Sequence, residues 1–554
     1  MKLRSYLRVI ILFASILLSA KSFSQRYEIR IVNMIPRERS SDTAHDGEPN
    51  IAVNPANPQI IAASAFTFSS NRQWCDTFPC YRIPDSSFPR CKAPIYLSMD
   101  GGNNWELQEL VPSNNGITHD ITVAFSDTGY LYVTALKGCQ YSPARGPNNF
   151  MKGFFILRSK AVVRLSEQIE SLIRIDQRFG FVHDQPWIEA VTSIDTISGR
   201  PVFSDRVFVG VNKQQDALSS PARDTMYEGR TARVLISGNA EITPTLFNAV
   251  VIESITNNDK NPGAVRVAIH RSGKVYAIFL RSIPGVPRPT IASERCRVVV
   301  VRDDSFGQGL VKFDALGLNG QVVADNQTTT YHRLGDEGWL GRCRVGGSNL
   351  AIAADPNNDQ HVFVGWCSLN AEGIYTLNFR QSWDGGLTWT NDHLPSIPNA
   401  MNPAIAMTSD GRVGLLYQQL VADLSGIRWW ETHFTMKHWN LTGVLVPEGE
   451  RGGEYVLSRF RDDELPERNS EAGRPPVGDY LDLVAVSNVF YGVFSAINTP
   501  NNILPGERRD RRFPIITPQY NRQQGNAGQL TDLDGNLIRS SVDPFFFKVE
   551  RKRS

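Results

Sequence analysis

Charge of one sign is what this sequence most plainly lacks. Its 554 residues carry 58 Lys and Arg against 56 Asp and Glu, a formal net charge of +2, and no long basic run. A polyanion-binding surface is not expected, and so neither is a nucleic-acid partner. Past the first residues no apolar run approaches membrane length, so no membrane span is expected. Sustained helical periodicity is missing too; one short helix over 165–175 is the exception the pattern allows. No Walker loop, G-x-S-x-G elbow, H-E-x-x-H or zinc-finger spacing occurs, so the chemistry those motifs mark has no foothold. Cysteine is sparse, at seven, and the odd number leaves at least one unpaired. Cys75, Cys80 and Cys91 cluster in one loop region, which suits a disulfide or, on a sharper reading, a metal cluster. Cys296 and Cys343 are a second candidate pair, and Cys139 and Cys367 sit in or beside strand patterns, where buried thiols occur.

What is present begins with an export signal. Lys2, Arg4 and Arg8 precede an apolar stretch from Val9 to Ala20, too short to span a bilayer comfortably. Small residues at Ser22 and Ser24 place a cleavage site before Gln25, and no Cys follows that could take a lipid. The expectation is a signal peptide over 1–24 and one secreted or periplasmic domain over 25–554.

Two stretches share the form S-x-D-G-G-x-[NT]-W: Ser98 to Trp105 and Ser382 to Trp389. Each follows an apolar run of strand type. The Asp carboxylates (Asp100, Asp384) can accept backbone N–H bonds across a turn, and Gly102 and Gly386 supply positive φ. Trp105 and Trp389 then anchor the return strand. A larger repeat surrounds them: apolar strand, short polar turn, apolar strand. It recurs seven times, at 50–65, 121–137, 187–212, 265–281, 350–367, 404–419 and 481–496. Tight turns such as Asp127-Thr128-Gly129 and Ser409-Asp410-Gly411 suit hairpins. A second strand pair follows most copies. Four strands per unit, repeated, describe an all-β fold: a single β-propeller, with seven four-stranded blades as the first choice and six as the second. At roughly 75 residues per unit against about 45 for a compact blade, on the order of 200 residues are inserted loops. Two end segments, Tyr27–Met34 and Pro544–Glu550, are strand-like and suited to completing one blade between them.

The paired S-x-D-G-G-x-[NT]-W stretches resemble the Asp-box, or BNR, repeat of the sialidase-like β-propeller superfamily. In that family the boxes are structural and peripheral, which is the role the resemblance implies for Ser98, Asp100, Gly102, Trp105, Ser382, Asp384, Gly386 and Trp389. Sialidases of the superfamily use three arginines on a substrate carboxylate, a Tyr–Glu nucleophile pair and an Asp acid/base. Tyr81-Arg82-Ile83-Pro84 has the form of the first-arginine motif, which makes Arg82 a binding candidate, although it follows the second strand of its unit instead of opening the first. No motif selects its partners among Arg342, Arg344, Arg428 and Arg474. Tyr480, in Gly478-Asp479-Tyr480-Leu481-Asp482, opens the seventh repeat and is the nucleophile candidate. Its ordinary pKa of about 10 demands a neighbouring carboxylate, with Glu431 or Glu471 as candidates. The alternative is a Tyr that packs at a blade mouth and bonds to backbone.

A second pattern is internal. His45-Asp46, His119-Asp120 and His183-Asp184 precede the first three repeats, and Asp479 has the related place in the seventh. In a propeller these starts meet at the channel mouth. Asp46, Asp120 and Asp184 are therefore catalytic candidates, and His45, His119, His183 and Asp479 binding candidates. Four such carboxylates would repel by about 2 kcal/mol per pair at roughly 8 Å and an effective dielectric of about 20. A bound divalent cation, raised pKa values, histidinium partners or a cationic ligand would offset that; no cofactor is otherwise required. Equally, an Asp at a strand start caps its own turn, and duplication copies it. Trp187 and the pair Trp429-Trp430 suit either sugar stacking or core packing. Two functions follow. One is a glycan-processing exo-glycosidase at the channel mouth, acting on an extracellular glycan or glycoprotein. The other is a non-catalytic scaffold that binds carbohydrate or protein. A monomer is expected in either case.

Overall fold

The short polar turns fall where the chain reverses: Gly129, at φ 86°, donates its N–H to the Ser126 carbonyl at 3.0 Å between two antiparallel strands. A computed structural model describes residues 27–42, 45–68, 93–111, 118–141, 150–161, 172–179, 181–215, 231–253, 265–283, 293–330, 350–390, 396–422, 425–439, 444–448, 453–461, 478, 480–498, 523–524 and 530–551. The leader, Cys75, Cys80, Cys91 and Cys343 lie outside them, as does the side chain of Cys139.

The chain is all-β. After β1 (Tyr27–Asn33), sheet 1 runs β2 (His45–Val53), β3 (Ile61–Phe68), β4 (Ala93–Ser98) and β5 (Glu106–Val111). Sheet 2 is β6 (Thr118–Phe125), β7 (Tyr130–Tyr141), β8 (Phe150–Ala161) and β9 (Ile173–Phe179). Sheet 3 is β10 (Phe181–Ile197), β11 (Arg200–Gln215), β12 (Thr231–Ser237) and β13 (Asn248–Val251). Sheet 4 is β14 (Arg266–Ile269), β15 (Val275–Ser282), β16 (Ser293–Asp303) and β17 (Gln321–Thr330). Sheet 5 is β18 (Leu350–Asp355), β19 (Asn358–Leu369), β20 (Tyr375–Ser382) and β21 (Ile397–Pro398), joined to sheet 4 by the single pair Thr328 and Leu369. Sheet 6 is β22 (Ala400–Met407), β23 (Arg412–Ala422), β24 (Arg428–Trp439) and β25 (Leu445–Pro447), with β26 (Glu454–Arg461) also on β24. The last sheet has β27 (Asp482–Val486) and β28 (Val489–Ile497). It then takes β31 (Val542–Arg551), after a short ladder of β29 (Gln523–Gln524) with β30 (Leu530–Thr531). Its fourth strand is β1, which pairs with β31 from Tyr27↔Arg551 to Asn33↔Phe545.

All seven hairpins expected from the sequence are antiparallel pairs, and the two end segments join as foreseen. The helix expected over 165–175 is corrected where it can be seen: Ile173 and Arg174 pair with Arg158 and Leu157 as strand. β-Branched residues in alternation there suit a pleated edge better than a helix.

Consecutive sheets share their apolar faces. Ile95, Leu97, Ile121, Val133 and Phe155 pack between sheets 1 and 2. Val234, Val267, Phe279 and Val299 pack between sheets 3 and 4. Ile51, Tyr96, Trp105, Val493 and Phe546 pack between the last sheet and the first. Each fully buried side chain of this size contributes about 1.5–3 kcal/mol. The first strands meet in order: β2 with β6, β6 with β10, β10 with β14, β14 with β18, β18 with β22, β22 with β27, and β27 with β2. Cys296 and Cys367 are buried strand residues, and the Cys367 thiol lies 3.7 Å from the Ala400 carbonyl.

The two S-x-D-G-G turns have one geometry. Ser98 Oγ donates to Asp100 Oδ1 (2.9 Å) and accepts from Gly102 N–H (2.9 Å), while Asp100 Oδ1 also accepts from Asn104 N–H (2.9 Å). Ser382, Asp384, Gly386 and Thr388 repeat the set at 2.7, 2.7 and 2.9 Å. Trp105 Nε1 donates to the Gly102 carbonyl (3.2 Å), and its ring centroid lies 5.3 Å from that of Phe546. Asp303, with no such motif, builds a related turn by accepting from Ser305 N–H (2.8 Å) and Gly307 N–H (2.7 Å). All three turns follow the third strand of a sheet, far along each sheet from the first strands.

Candidate functional site

Mid-strand prolines set up the site. A proline has no N–H for the ladder, so inside a sheet it sits at an edge or a bulge. Pairing skips Glu48-Pro49 in β2, Gln185-Pro186 in β10 and Asn402-Pro403 in β22. The residue before each proline has positive φ, at 55°, 45° and 53°. A fourth interruption, at His119-Asp120 in β6, has no proline. The bulges turn polar residues inward at the starts of these first strands. Glu48, Asp120, Gln185 and Asn402 are all buried.

Side chains then tie neighbouring first strands together. Asn50 of β2 donates from Nδ2 to Asp482 Oδ2 of β27 (2.7 Å) and accepts at Oδ1 from Val123 N–H of β6 (2.7 Å). Asp482 also accepts from Ile51 N–H (3.0 Å) and Leu483 N–H (2.8 Å). Thr122 of β6 donates to the Pro186 carbonyl (3.0 Å) and accepts from Ile188 N–H of β10 (3.2 Å). Between these strands lies a cavity of about 60 Å³, lined by residues of five sheets. Its polar wall is Trp187 and Glu189 from β10, Arg266 from β14, Asp482 from β27 and Tyr480 just before it; Leu350, Ile352, Ala404 and Ile405 form an apolar wall.

The polar wall is tightly coupled. The Arg266 guanidinium lies over the Trp187 ring at 4.0 Å, and Tyr480 meets that ring edge-on at 5.9 Å. Arg266 Nη2 reaches Gln185 Oε1 at 3.5 Å, and Nη1 has no acceptor. Tyr480 Oη makes no hydrogen bond of normal geometry, although the Ile121 N–H lies nearby. Burial pushes the Tyr480 hydroxyl well above its ordinary value, and the Asp120 and Glu48 carboxylates push it further. Burial lowers Arg266 to about 10, against the pull of Tyr480, Asp482, Asp120 and Glu48. Glu189 accepts from Trp187 Nε1 at 3.3 Å, and burial, then Asp482, raises it to about 8. Burial raises Asp482 to about 7, against its backbone donors and Arg266. A carboxyl near 8 holds its proton at neutral pH, the condition for a general acid.

Of the sequence candidates, Tyr480 lies on this cavity and Asp120 acts on Tyr480 and Arg266 from beside it. Asp46 is buried, accepts from Tyr96 Oη at 3.0 Å and is not part of the cavity wall. The side chains of His45, His119, His183 and Asp184 lie outside the described residues, as do Asp479, Arg82 and Glu471. Glu431 is engaged elsewhere, on β24, by His433 and Arg459, and Arg428 starts that same strand. Trp187 takes the cavity position, whereas Trp430 is core. Among the described residues no group of three or more His, Cys, Asp or Glu is arranged to hold a metal ion, and no helix is long and apolar enough to cross a membrane.

The sequence reading missed Glu48, Glu189, Arg266 and the role of Asp482. The signal for the first was the X-Pro inside an apolar strand. For Glu189 it was the alternation Trp187, Glu189 on one face of β10.

No family model and no curated protein matches the sequence. Solved structures do. One is the α-L-arabinofuranosidase Arb93A of Fusarium graminearum with an iminosugar inhibitor, at 9% identity over 76% of this chain and 99% of that one, TM-score 0.38. A protein of unknown function from Dyadobacter fermentans matches at 10% identity over 95% and 99%, TM-score 0.39. The Trypanosoma rangeli sialidase with the inhibitor DANA matches at 11% identity over 71% and 55%, TM-score 0.34. Likeness at this level assigns no residue a role.

Proposed function

We propose that this chain is a secreted seven-bladed β-propeller that processes extracellular glycans, cleaving a glycosidic bond at the cavity between its first strands. The seven hairpin units, and first strands that meet in a closed series, support the blade count. The leader-like first 24 residues support export. The observation that carries the function is that Glu189, Arg266 and Tyr480, distant from one another in the chain, wall one cavity.

In this reading Glu189 gives its proton to the leaving-group oxygen as the glycosidic bond breaks. It accepts from Trp187 Nε1 and stands in the cavity wall. Asp120 is the second carboxylate that glycoside hydrolysis requires: it takes a proton from the water whose oxygen bonds to the anomeric carbon as the leaving group departs with the Glu189 proton. Asp482, held by three donors, serves the junction of the first and last sheets instead. Tyr480 keeps its proton far above neutral pH and acts as a hydrogen-bond donor to sugar, in place of the nucleophile role the resemblance implied.

The test is turnover of a panel of aryl furanosides, pyranosides and sialosides by the purified protein. At least one reporter should be cleaved, and Glu189→Gln should lower kcat by roughly 10²–10⁴-fold in a protein that still folds cooperatively. No turnover across the panel, or full activity in Glu189→Gln, overturns the reading. Glycan binding without turnover would favour the recognition scaffold.

A further inference from the structure

The same cavity constrains the charge of its ligand. Arg266 is the one cation in its wall among the described residues, and Glu189 and Asp482 stand in that wall with it. Glu48 and Asp120 act on Arg266 and Tyr480 from close by. Even with Glu189 holding its proton, a ligand carboxylate would share one guanidinium with Asp482, Glu48 and Asp120.

Arg266 is also partly committed, so the two-pronged grip that carboxylate sites use would compete with its bond to Gln185. Its guanidinium carbon lies over the Trp187 ring at 4.0 Å, and Nη2 reaches Gln185 Oε1 at 3.5 Å. Only Nη1 is left without an acceptor, and Tyr480 Oη is the second polar atom in that condition. Arg266 and Tyr480 are 4% and 3% exposed. Buried donors left unpaired are costly, so these two mark where ligand oxygens belong.

We propose that the cavity takes an uncharged glycosyl unit, with Arg266 Nη1 and Tyr480 Oη donating to its hydroxyl or ring oxygens, and rejects sugars that carry a carboxylate. The proposal rests on the reading of this cavity as a glycan site. It departs from the arginine-triad recognition that the sialidase resemblance implied.

The experiment is calorimetry and saturation-transfer NMR on the full chain at pH 7. The probes are methyl glycosides of neutral pentoses and hexoses, set against N-acetylneuraminic acid and methyl glucuronide. A neutral glycoside should bind, with the carboxylated sugars weaker by tenfold or more. Tyr480→Phe and Arg266→Gln should each weaken the neutral ligand by roughly tenfold, the loss of one hydrogen bond. Tyr480→Phe is the deciding variant if Arg266→Gln does not fold. Tighter binding of a carboxylated sugar overturns the inference and leaves the glycan reading standing. Neutral binding unchanged in both variants overturns the donor assignment. No binding of either class, with no turnover on the reporter panel, overturns both readings together.

Discussion

The indole N–H of Trp187 donates to Glu189 Oε1 at 3.3 Å, two residues along one strand, while the face of that indole is covered by the Arg266 guanidinium at 4.0 Å. Trp187 thus ties Glu189 to Arg266, the cation of the cavity wall among the described residues. Burial, and then Asp482, make Glu189 visible to titration.

Glu189 has a folded-state pKa of about 8 against an ordinary value of 4.5. The unfolded chain loses this proton first, so between those values the folded state binds more protons and stability falls as pH rises. Asp482, raised to about 7, acts in the same direction. Melting temperature should therefore decline from pH 5 to pH 8. Glu189→Gln should flatten that slope and raise stability at pH 8 by on the order of a few kcal/mol. A slope that the substitution does not change would contradict the burial of this carboxyl.

Asn50 bridges three first strands through Asp482 and Val123. Asn50→Ala removes both bonds and strips Asp482 of one donor inside the protein. It should cost about 2–3 kcal/mol, more than a surface Asn→Ala, by denaturant melts. Asn50→Asp should be worse, because it sets a second carboxylate against Asp482.

Gly102 has φ 91°, and a Cβ there would run into the Phe546 ring. Gly102→Ala should destabilise by about 2–4 kcal/mol through strain and overpacking between the first and last sheets. Gly411, at φ 81° with nothing near its missing Cβ, is the control. Gly411→Ala should cost about 1 kcal/mol from backbone strain alone. Equal losses at the two sites would remove the packing argument.

His433 lies between Glu431 (2.8 Å) and Glu454 (3.1 Å), with Tyr417 stacked on it at 5.1 Å. Burial opposes its charge, but the bonds to both carboxylates outweigh burial and raise its pKa. Its contribution is complete below the unfolded value of about 6.5 and is lost as pH rises through the folded one. Glu431 and Glu454 are lowered, chiefly by the His433 bond once the burial of Glu431 is overcome, so their part is present above about 4.5 and lost on acidification. His433→Gln should remove the alkaline loss and weaken the acid one. Thermal melts from pH 3 to pH 9 would show this, and an unchanged profile would contradict it.

The fold was largely legible because apolar alternation, Gly turns and end strands all specify local pairing. Asp127-Thr128-Gly129 permits little but a hairpin, and the β1–β31 pairing follows once two strand-like ends are left over. The site was only partly legible. Which face of a strand looks inward depends on every register shift before it, and each bulge reverses the alternation. The bulge at Gln185-Pro186 does so two residues before Glu189's neighbour Trp187, so counting from His183-Asp184 gives no facing for Glu189. Tyr480 escaped this problem because it lies two residues before β27, with no bulge in between. Arg266 opens β14 but stands in no motif, and spacing alone could not set it against Trp187, which lies 79 positions earlier in the chain.

The ladder between β1 and β31 has its two terminal residues, Tyr27 and Arg551, opposite each other. Tension applied at the two ends of the protein therefore acts on one pair at a time, from Tyr27↔Arg551 inward to Asn33↔Phe545. The seam opens like a zipper and not as a shear clamp, so under load this sheet should yield at low force while the other six still hold.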